Sequence, residues 1–240
     1  MSADSSACNE LSREIILEFS GSEDLKDVKL LVLRGLGLKD VRLLQTVPNL
    51  VSLSLSHNEL RKIEVPAGAL PFLEELNVNR NELVDVLWLA MCPALALLYA
   101  SSNQIADTTP LASLCPRLKC ACLHGNRIEN LERAVSSLKI MDLEEAELDG
   151  NPCAETASYR WTVIDALPKL RRLDSETITD SERSRASELR STIRGSAASA
   201  YGEDTGTFWT HSDIPDPPSE QQYSKSAQRI RRPMTSHQNT

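Results

Sequence analysis

The amino-acid sequence predicts an α/β solenoid in which short parallel strands alternate with returning helical segments and stack coil on coil. Three observations carry this expectation. A frame L-x-x-L-x-L-x-x-N-x-L stands at Leu50 (LVSLSLSHNEL) and recurs at Leu73 (LEELNVNRNEL), Leu95 (LALLYASSNQI) and Leu118 (LKCACLHGNRI), with looser copies at Val28 (VKLLVLRGLGL, Leu36 in the Asn place) and Leu143 (LEEAELDGNPC). Starts at 28, 50, 73, 95, 118 and 143 differ by 22, 23, 22, 23 and 25 residues, a period at which one strand-and-return unit buries its apolar face against the next. Asn58, Asn81, Asn103, Asn126 and Asn151 keep a single place in the frame.

Within each copy the core apolar residues alternate with polar ones, as in Leu53-Ser54-Leu55 and Leu76-Asn77-Val78, which suits a strand with one face buried. Strands from neighbouring copies then lie about 4.8 Å apart in a parallel sheet. The asparagines fall where the chain leaves the strand and turns inward, and buried turn backbone needs partners. A carboxamide carries two donors and an acceptor, so the five predict a ladder from coil to coil. The expected fold is a leucine-rich-repeat solenoid of about six repeats, its sheet on the concave face, with helical caps at both ends.

In chain order, residues 1–8 are expected to be disordered and 9–27 to form a helical cap with Leu11, Ile15, Ile16 and Phe19 on one stripe, covering the core edge that a first coil exposes. Residues 28–178 form the solenoid and its closure. Between strands, Ile63, Leu70, Val86, Leu89, Leu111, Leu114, Leu131, Val135 and Leu138 return to the core, and Pro48, Pro71, Pro93 and Pro116 stop each return just before the next strand. Tyr159, Val163 and Leu167 share a closing helix face, and Leu170 and Leu173 begin a last partial strand. Thr179 to Glu182 reads as a capping box opening a helix at 179–194, with a narrow stripe of Ala186, Leu189 and Ile193. Residues 195–240 have the composition of a disordered tail, with Phe208-Trp209 as a docking point and Arg231-Arg232 preceding the phosphorylatable Thr235 and Ser236.

Charge divides unevenly. Residues 181–240 hold 8 Lys+Arg and 7 Asp+Glu of the 26 and 34 in the whole chain, leaving 18 and 27, so the body is about −9 and the tail about +1. An acidic body argues against direct nucleic-acid binding, which needs clustered cations. The longest apolar run, Val86 to Cys92, is far shorter than a membrane span, and the N-terminal residues show no secretory apolar stretch; a soluble intracellular protein is expected. Six scattered cysteines suit reduced thiols in repeat positions.

No phosphate-binding glycine loop, zinc-protease pair or nucleophile elbow occurs, so neither an enzyme nor a cofactor is expected. Cys120, Cys122 and His124 alternate along one strand, but side chains two apart stand about 6.5 to 7 Å apart along it, too wide to share one small ion; no metal is expected there. The candidate site is the outward face of the sheet. His57, Asn77, Arg80, Tyr99, Cys122 and His124 are expected to line it, with an acidic end at Glu145 and Glu147. Extended faces of this kind hold proteins or peptides, and Tyr99 is the expected anchor.

The first repeat (LLVLRGLGL) and the closing stretch (NPCAETASYRWTVIDALPKLRRLD) resemble, over roughly residues 10–180, the short leucine-rich-repeat group that includes the spliceosomal A-prime protein, the leucine-rich acidic nuclear phosphoproteins and axonemal dynein light chain one. The resemblance implies a non-enzymatic adaptor, monomeric within a larger complex. A ciliary or microtubule-associated setting is the leading expectation, a nuclear ribonucleoprotein component the second, and a phosphatase regulatory subunit the third. The long Asp/Glu tail of the acidic nuclear phosphoproteins is missing, which argues against histone-directed chaperone work.

Overall fold

A computed structural model describes residues 10–200, with side chains through residue 191. Cys8, Phe208, Trp209, Thr235 and Ser236 lie outside the described residues, as do the expected disordered start and all of the tail beyond 200. Strands β1 (Leu30–Val32), β2 (Ser52–Ser54), β3 (Glu75–Asn77), β4 (Leu97–Tyr99), β5 (Cys120–Cys122), β6 (Glu145–Glu147) and β7 (Arg172–Leu173) pair in chain order as one parallel sheet. Strand β8 (Glu176–Thr177) folds back antiparallel on β7. The register brings Leu31, Leu53, Leu76, Leu98, Ala121, Ala146 and Leu173 into one row across the sheet. All seven are buried.

The ladder fixes that register. In every Asn-bearing coil the carboxamide nitrogen donates twice, to a carbonyl three residues back and to the matching carbonyl of the preceding coil. Asn81 Nδ2 reaches Val78 and Leu55 at 2.9 and 3.0 Å, and Asn103 Nδ2 reaches Ala100 and Val78 at 3.1 and 3.0 Å. The side-chain oxygen accepts from the preceding coil, Asn103 Oδ1 from Leu83 N at 3.1 Å and Asn126 Oδ1 from Ile105 N at 3.0 Å. Asn58 Oδ1 accepts from both Leu36 N and Leu38 N at 3.0 Å, so the first coil is tied in although its own Asn place holds Leu36. The residue just before the ladder place is left-handed in each of these coils: Gly35 at φ 70°, His57 at 60°, Arg80 at 56°, Ser102 at 57°, Gly125 at 63° and Gly150 at 67°. At Gly150 space also forbids a side chain, because a Cβ would come within 3.0 Å of the His124 ring and 3.2 Å of the Gly125 nitrogen.

The returns are short. Three-ten turns at Arg42–Thr46 and Leu87–Met91 serve the earlier coils and helices α2 (Leu111–Leu114) and α3 (Leu131–Leu138) the later ones, and only turns connect β2 to β3. The expected inward residues are buried except Leu114, which is half-buried because the chain turns at Cys115 and sinks that thiol instead. Helix α1 (Arg13–Ser20) is capped by Ser12, whose side chain accepts from Ile15 N, and ended by Gly21. Ile16 and Leu11 are buried, but Phe19 is 46% exposed. Its stripe is carried by Ile16, with Ile15 and Leu17 half-buried about 100° to either side, and Phe19 stands in the last turn.

The far end closes with helix α4 (Tyr159–Ala166), on which Tyr159 and Val163 are buried, followed by buried Leu167. Asp174, at φ 51°, directly follows β7 and ties it to the preceding coil. Its Oδ1 accepts from Leu148 N at 2.8 Å and Asp149 N at 3.0 Å, and its Oδ2 accepts the Tyr159 hydroxyl at 2.8 Å. Burial pushes the Asp174 carboxyl above its ordinary pKa, against the lowering effect of those donors. Helix α5 (Asp180–Ala200) opens on the expected capping box, with Thr179 N donating to Glu182 Oε2 at 2.8 Å and Glu182 N to Thr179 Oγ1 at 3.2 Å. It runs to Ala200, six residues past the expected end at 194; Ala197, Ala198 and Ala200 have high helix propensity. Its narrow stripe is supplemented by polar contacts with α4: Arg160 to Glu182 at 2.8 Å, Arg190 to Asp165 at 2.9 Å, and the Arg185 guanidinium 5.5 Å from the Trp161 ring centre. Among the described residues no helix is long and apolar enough to cross a membrane.

Candidate protein-binding face of the sheet

The residues flanking the buried row point the other way and form two rows of their own. One runs Val32, Ser54, Asn77, Tyr99, Cys122 and Glu147; the other runs Leu30, Ser52, Glu75, Leu97, Cys120, Glu145 and Arg172. Asn77, Tyr99, Cys122 and Glu147 therefore share one line across four adjacent strands, with Glu145 in the parallel line. Tyr99 sits half-buried at the centre, and burial pushes its hydroxyl pKa up to about 12, with smaller contributions from Cys120 and Cys122. The ring is neutral at physiological pH and offers an apolar body with a donor at its tip. Asn77 Oδ1 accepts from Asn79 N at 3.0 Å, which fixes the amide beside it.

His57 and Arg80 are not on this line. They occupy the left-handed corner just past the strand ends, so they form a rim over the first coils. His57 Nε2 meets Arg34 Nη2 at 3.1 Å, and burial, followed by the charges of Arg34 and Arg80, lowers its pKa below the ordinary imidazole value. His124 lies beyond β5 on the opposite half, with Nδ1 at 2.9 Å from Asp149 Oδ1. At the acidic end, Glu145 faces Arg172 at 3.6 Å and Glu147 accepts from Ser175 Oγ at 3.0 Å.

Two features were missed by the sequence reading. Leu30 and Val32, 50% and 41% exposed, extend the face with apolar surface on β1; the run LLVL reads as buried on both sides, and only its alignment with Ser52 and Ser54 reveals the outward positions. The expected separation of about 6.5 to 7 Å between the side chains of Cys120 and Cys122 is corrected. Cys120 Sγ and Cys122 Sγ lie 3.7 Å apart, because rotation about χ1 swings the sulfurs together although the Cα atoms keep their strand spacing. Their shared hydrogen bond lowers the pKa of Cys120 and raises that of Cys122. Among the described residues no group of three or more His, Cys, Asp or Glu is placed to hold a metal ion.

A sheet laid down coil by coil, stitched by a carboxamide ladder on one side and open on the other, defines a repeat protein. The chain belongs to the leucine-rich-repeat family, whose model, described as Leucine-rich repeat, matches residues 52–200. It is 34% identical over 122 residues to human cilia- and flagella-associated protein 410, covering 50% of this chain and 47% of that protein. It is also 34% identical over 166 residues to the U2 small nuclear ribonucleoprotein A' of Mycosarcoma maydis, covering 63% and 68%. The crystal structure of the Drosophila melanogaster SNF/U2A' complex contains a chain that superposes with a TM-score of 0.50 at 25% identity, over 80% of this chain and 98% of that one. The chain spans about half the length of the cilia- and flagella-associated relatives it matches.

Proposed function

We propose that this protein is a non-enzymatic adaptor that holds a protein or peptide across the open, concave face of its sheet, with Tyr99 as the anchor and Glu145 and Glu147 as a charged end. The observation that carries the reading is the in-register row through Asn77, Tyr99, Cys122 and Glu147. It sets a half-buried aromatic ring between polar neighbours, with carboxylates two strands away. Aromatic anchors of this kind dominate binding energies, while rim charges act on on-rate and salt dependence.

The ciliary relatives favour a ciliary or cytoskeletal assembly within the cell, where the chain acts as a monomer inside a larger complex. The first coil and closing stretch also resemble leucine-rich repeat-containing protein sixty-one. The second reading, a nuclear ribonucleoprotein component that grips a protein rather than RNA, is supported by the U2 A' relative and by the SNF/U2A' superposition. Tagged full-length protein is the test. Tyr99→Ala is expected to lose the co-purifying partner, and Glu145→Lys to weaken its capture more at low salt than at high salt. Arg133→Ala, which removes an ion pair to Asp107 on the return side, is expected to leave capture intact. Retention of the partner by a Tyr99→Ala/Glu145→Lys double variant overturns the reading, and localisation of the same protein separates cilium from nucleus.

A further inference from the structure

The rim over the first three coils gathers two guanidiniums around an imidazole. Arg34, His57 and Arg80 come from consecutive coils, and both arginines are exposed. A guanidinium has no acceptor, so in the 3.1 Å contact His57 Nε2 accepts from Arg34 Nη2 and the imidazole proton resides on Nδ1, leaving that N–H as a free-standing type of donor. Among the described residues neither Arg34 nor Arg80 has a carboxylate within ion-pair distance, whereas Lys39, Arg42 and Arg61 of the same coils face Glu59, Asp40 and Glu82. The charged groups acting on His57 are the two arginines alone. In a chain of net charge −8, two unpaired guanidiniums flanking a neutral imidazole are a local excess of donors and positive charge.

We infer that Arg34, His57 and Arg80 form an anion site for a phosphoryl group carried by the protein segment that lies on the sheet. This rests on the sheet-face reading above. Strands about 4.8 Å apart spread the three donors over roughly 10 Å, within the reach of two arginine side chains. A tetrahedral dianion with three acceptor oxygens can take bonds from three directions, whereas a planar carboxylate is satisfied by one guanidinium fork. The site lies past the strand ends, so it reads a residue beside the segment held by Tyr99.

The test uses the full chain and a degenerate phosphoserine peptide library, with the same library unphosphorylated and with Glu in the phosphoserine place. The wild type is expected to retain the phosphorylated library about tenfold better than either counterpart, a factor equal to about 1.4 kcal/mol. Arg34→Gln/Arg80→Gln, both at exposed positions, is expected to melt with the wild type and lose the preference. Inorganic phosphate is expected to move the His57 ring titration to higher pH in the wild type and in Tyr99→Ala, but not in the double arginine variant. Equal retention of all three libraries, equal retention of the Glu library, or a preference that survives loss of both arginines overturns the inference. The two readings fail separately. A partner still captured by Tyr99→Ala sinks the sheet-face reading, while a phosphate response that ignores Arg34 and Arg80 sinks the anion site alone.

Discussion

On their inner side the strands repeat themselves: Leu31, Leu53, Leu76 and Leu98 follow one another in register before Ala121 and Ala146 take over. On their outer side no two match, running from Leu30 and Val32 through Ser52 and Ser54, Glu75 and Asn77, Leu97 and Tyr99, and Cys120 and Cys122 to Glu145 and Glu147. The inner side must fill one shared core at crystal-like density and keep every turn carbonyl paired, demands that are alike in each coil. The outer side answers only to water and to whatever it binds. Within a single repeat protein, then, sameness marks the positions that hold the fold and variety marks those free to specialise.

The sharpest way to break this comparison is at the inner row. Leu76→Ala leaves a cavity among fully buried neighbours and is expected to cost about 2–5 kcal/mol by chemical denaturation. A ladder change comes next. Asn103→Ala orphans Leu83 N and takes one of two carboxamide donors from Val78 O and from Ala100 O, which keep Asn81 and Asn126; with a buried group costing about 1–3 kcal/mol when orphaned, it is expected to lower stability within that range.

Asp174 sharpens the comparison, because there an acid, not a ladder asparagine, takes the backbone donors of the preceding coil. Its folded pKa is raised, so between the unfolded value, 3.8, and that higher folded value the native state holds the extra proton. Asp174 thus favours the folded state below this window, and the contribution is lost as pH rises through it. Asp174→Asn is expected to abolish this component while keeping the bonds from Leu148 and Asp149. Asp174→Ala is expected to cost about 1 kcal/mol at neutral pH by orphaning them. Urea midpoints of the three proteins from pH 4 to 8 measure both. The smallest effect is expected at Ser54→Ala on the open face, within about 0.5 kcal/mol; a loss as large as that of Leu76→Ala would show the two sides to be assigned the wrong way round.

Much of this was legible because repetition is written into the sequence. The alternation around Leu53 and Leu76 placed the inner and outer rows, and the asparagine period placed the ladder. The corners were harder. His57 and Arg80 read as face residues, although their frame position holds Gly35, Gly125 and Gly150 in other coils, a pattern that signals a left-handed corner. Leu30 and Val32 were hidden because apolar residues on an outer row resemble core. The approach of Cys120 and Cys122 depends on rotamers, which spacing along a strand does not determine. Asp174 carries no frame asparagine and became visible only through the backbone donors it satisfies.

Because each carboxamide bonds its own coil and the one before it, the ladder has no fixed length. Duplicating or excising one whole coil, 22 or 23 residues through the middle of the chain, leaves every asparagine with a neighbour to serve. Gaining or losing two or three residues within a strand breaks the register of that coil's carboxamide with its neighbours. Change in this molecule is therefore quantised: a lineage can lengthen its surface by copying a unit, with each new coil adding a pair of outer positions already held in register and free to diverge.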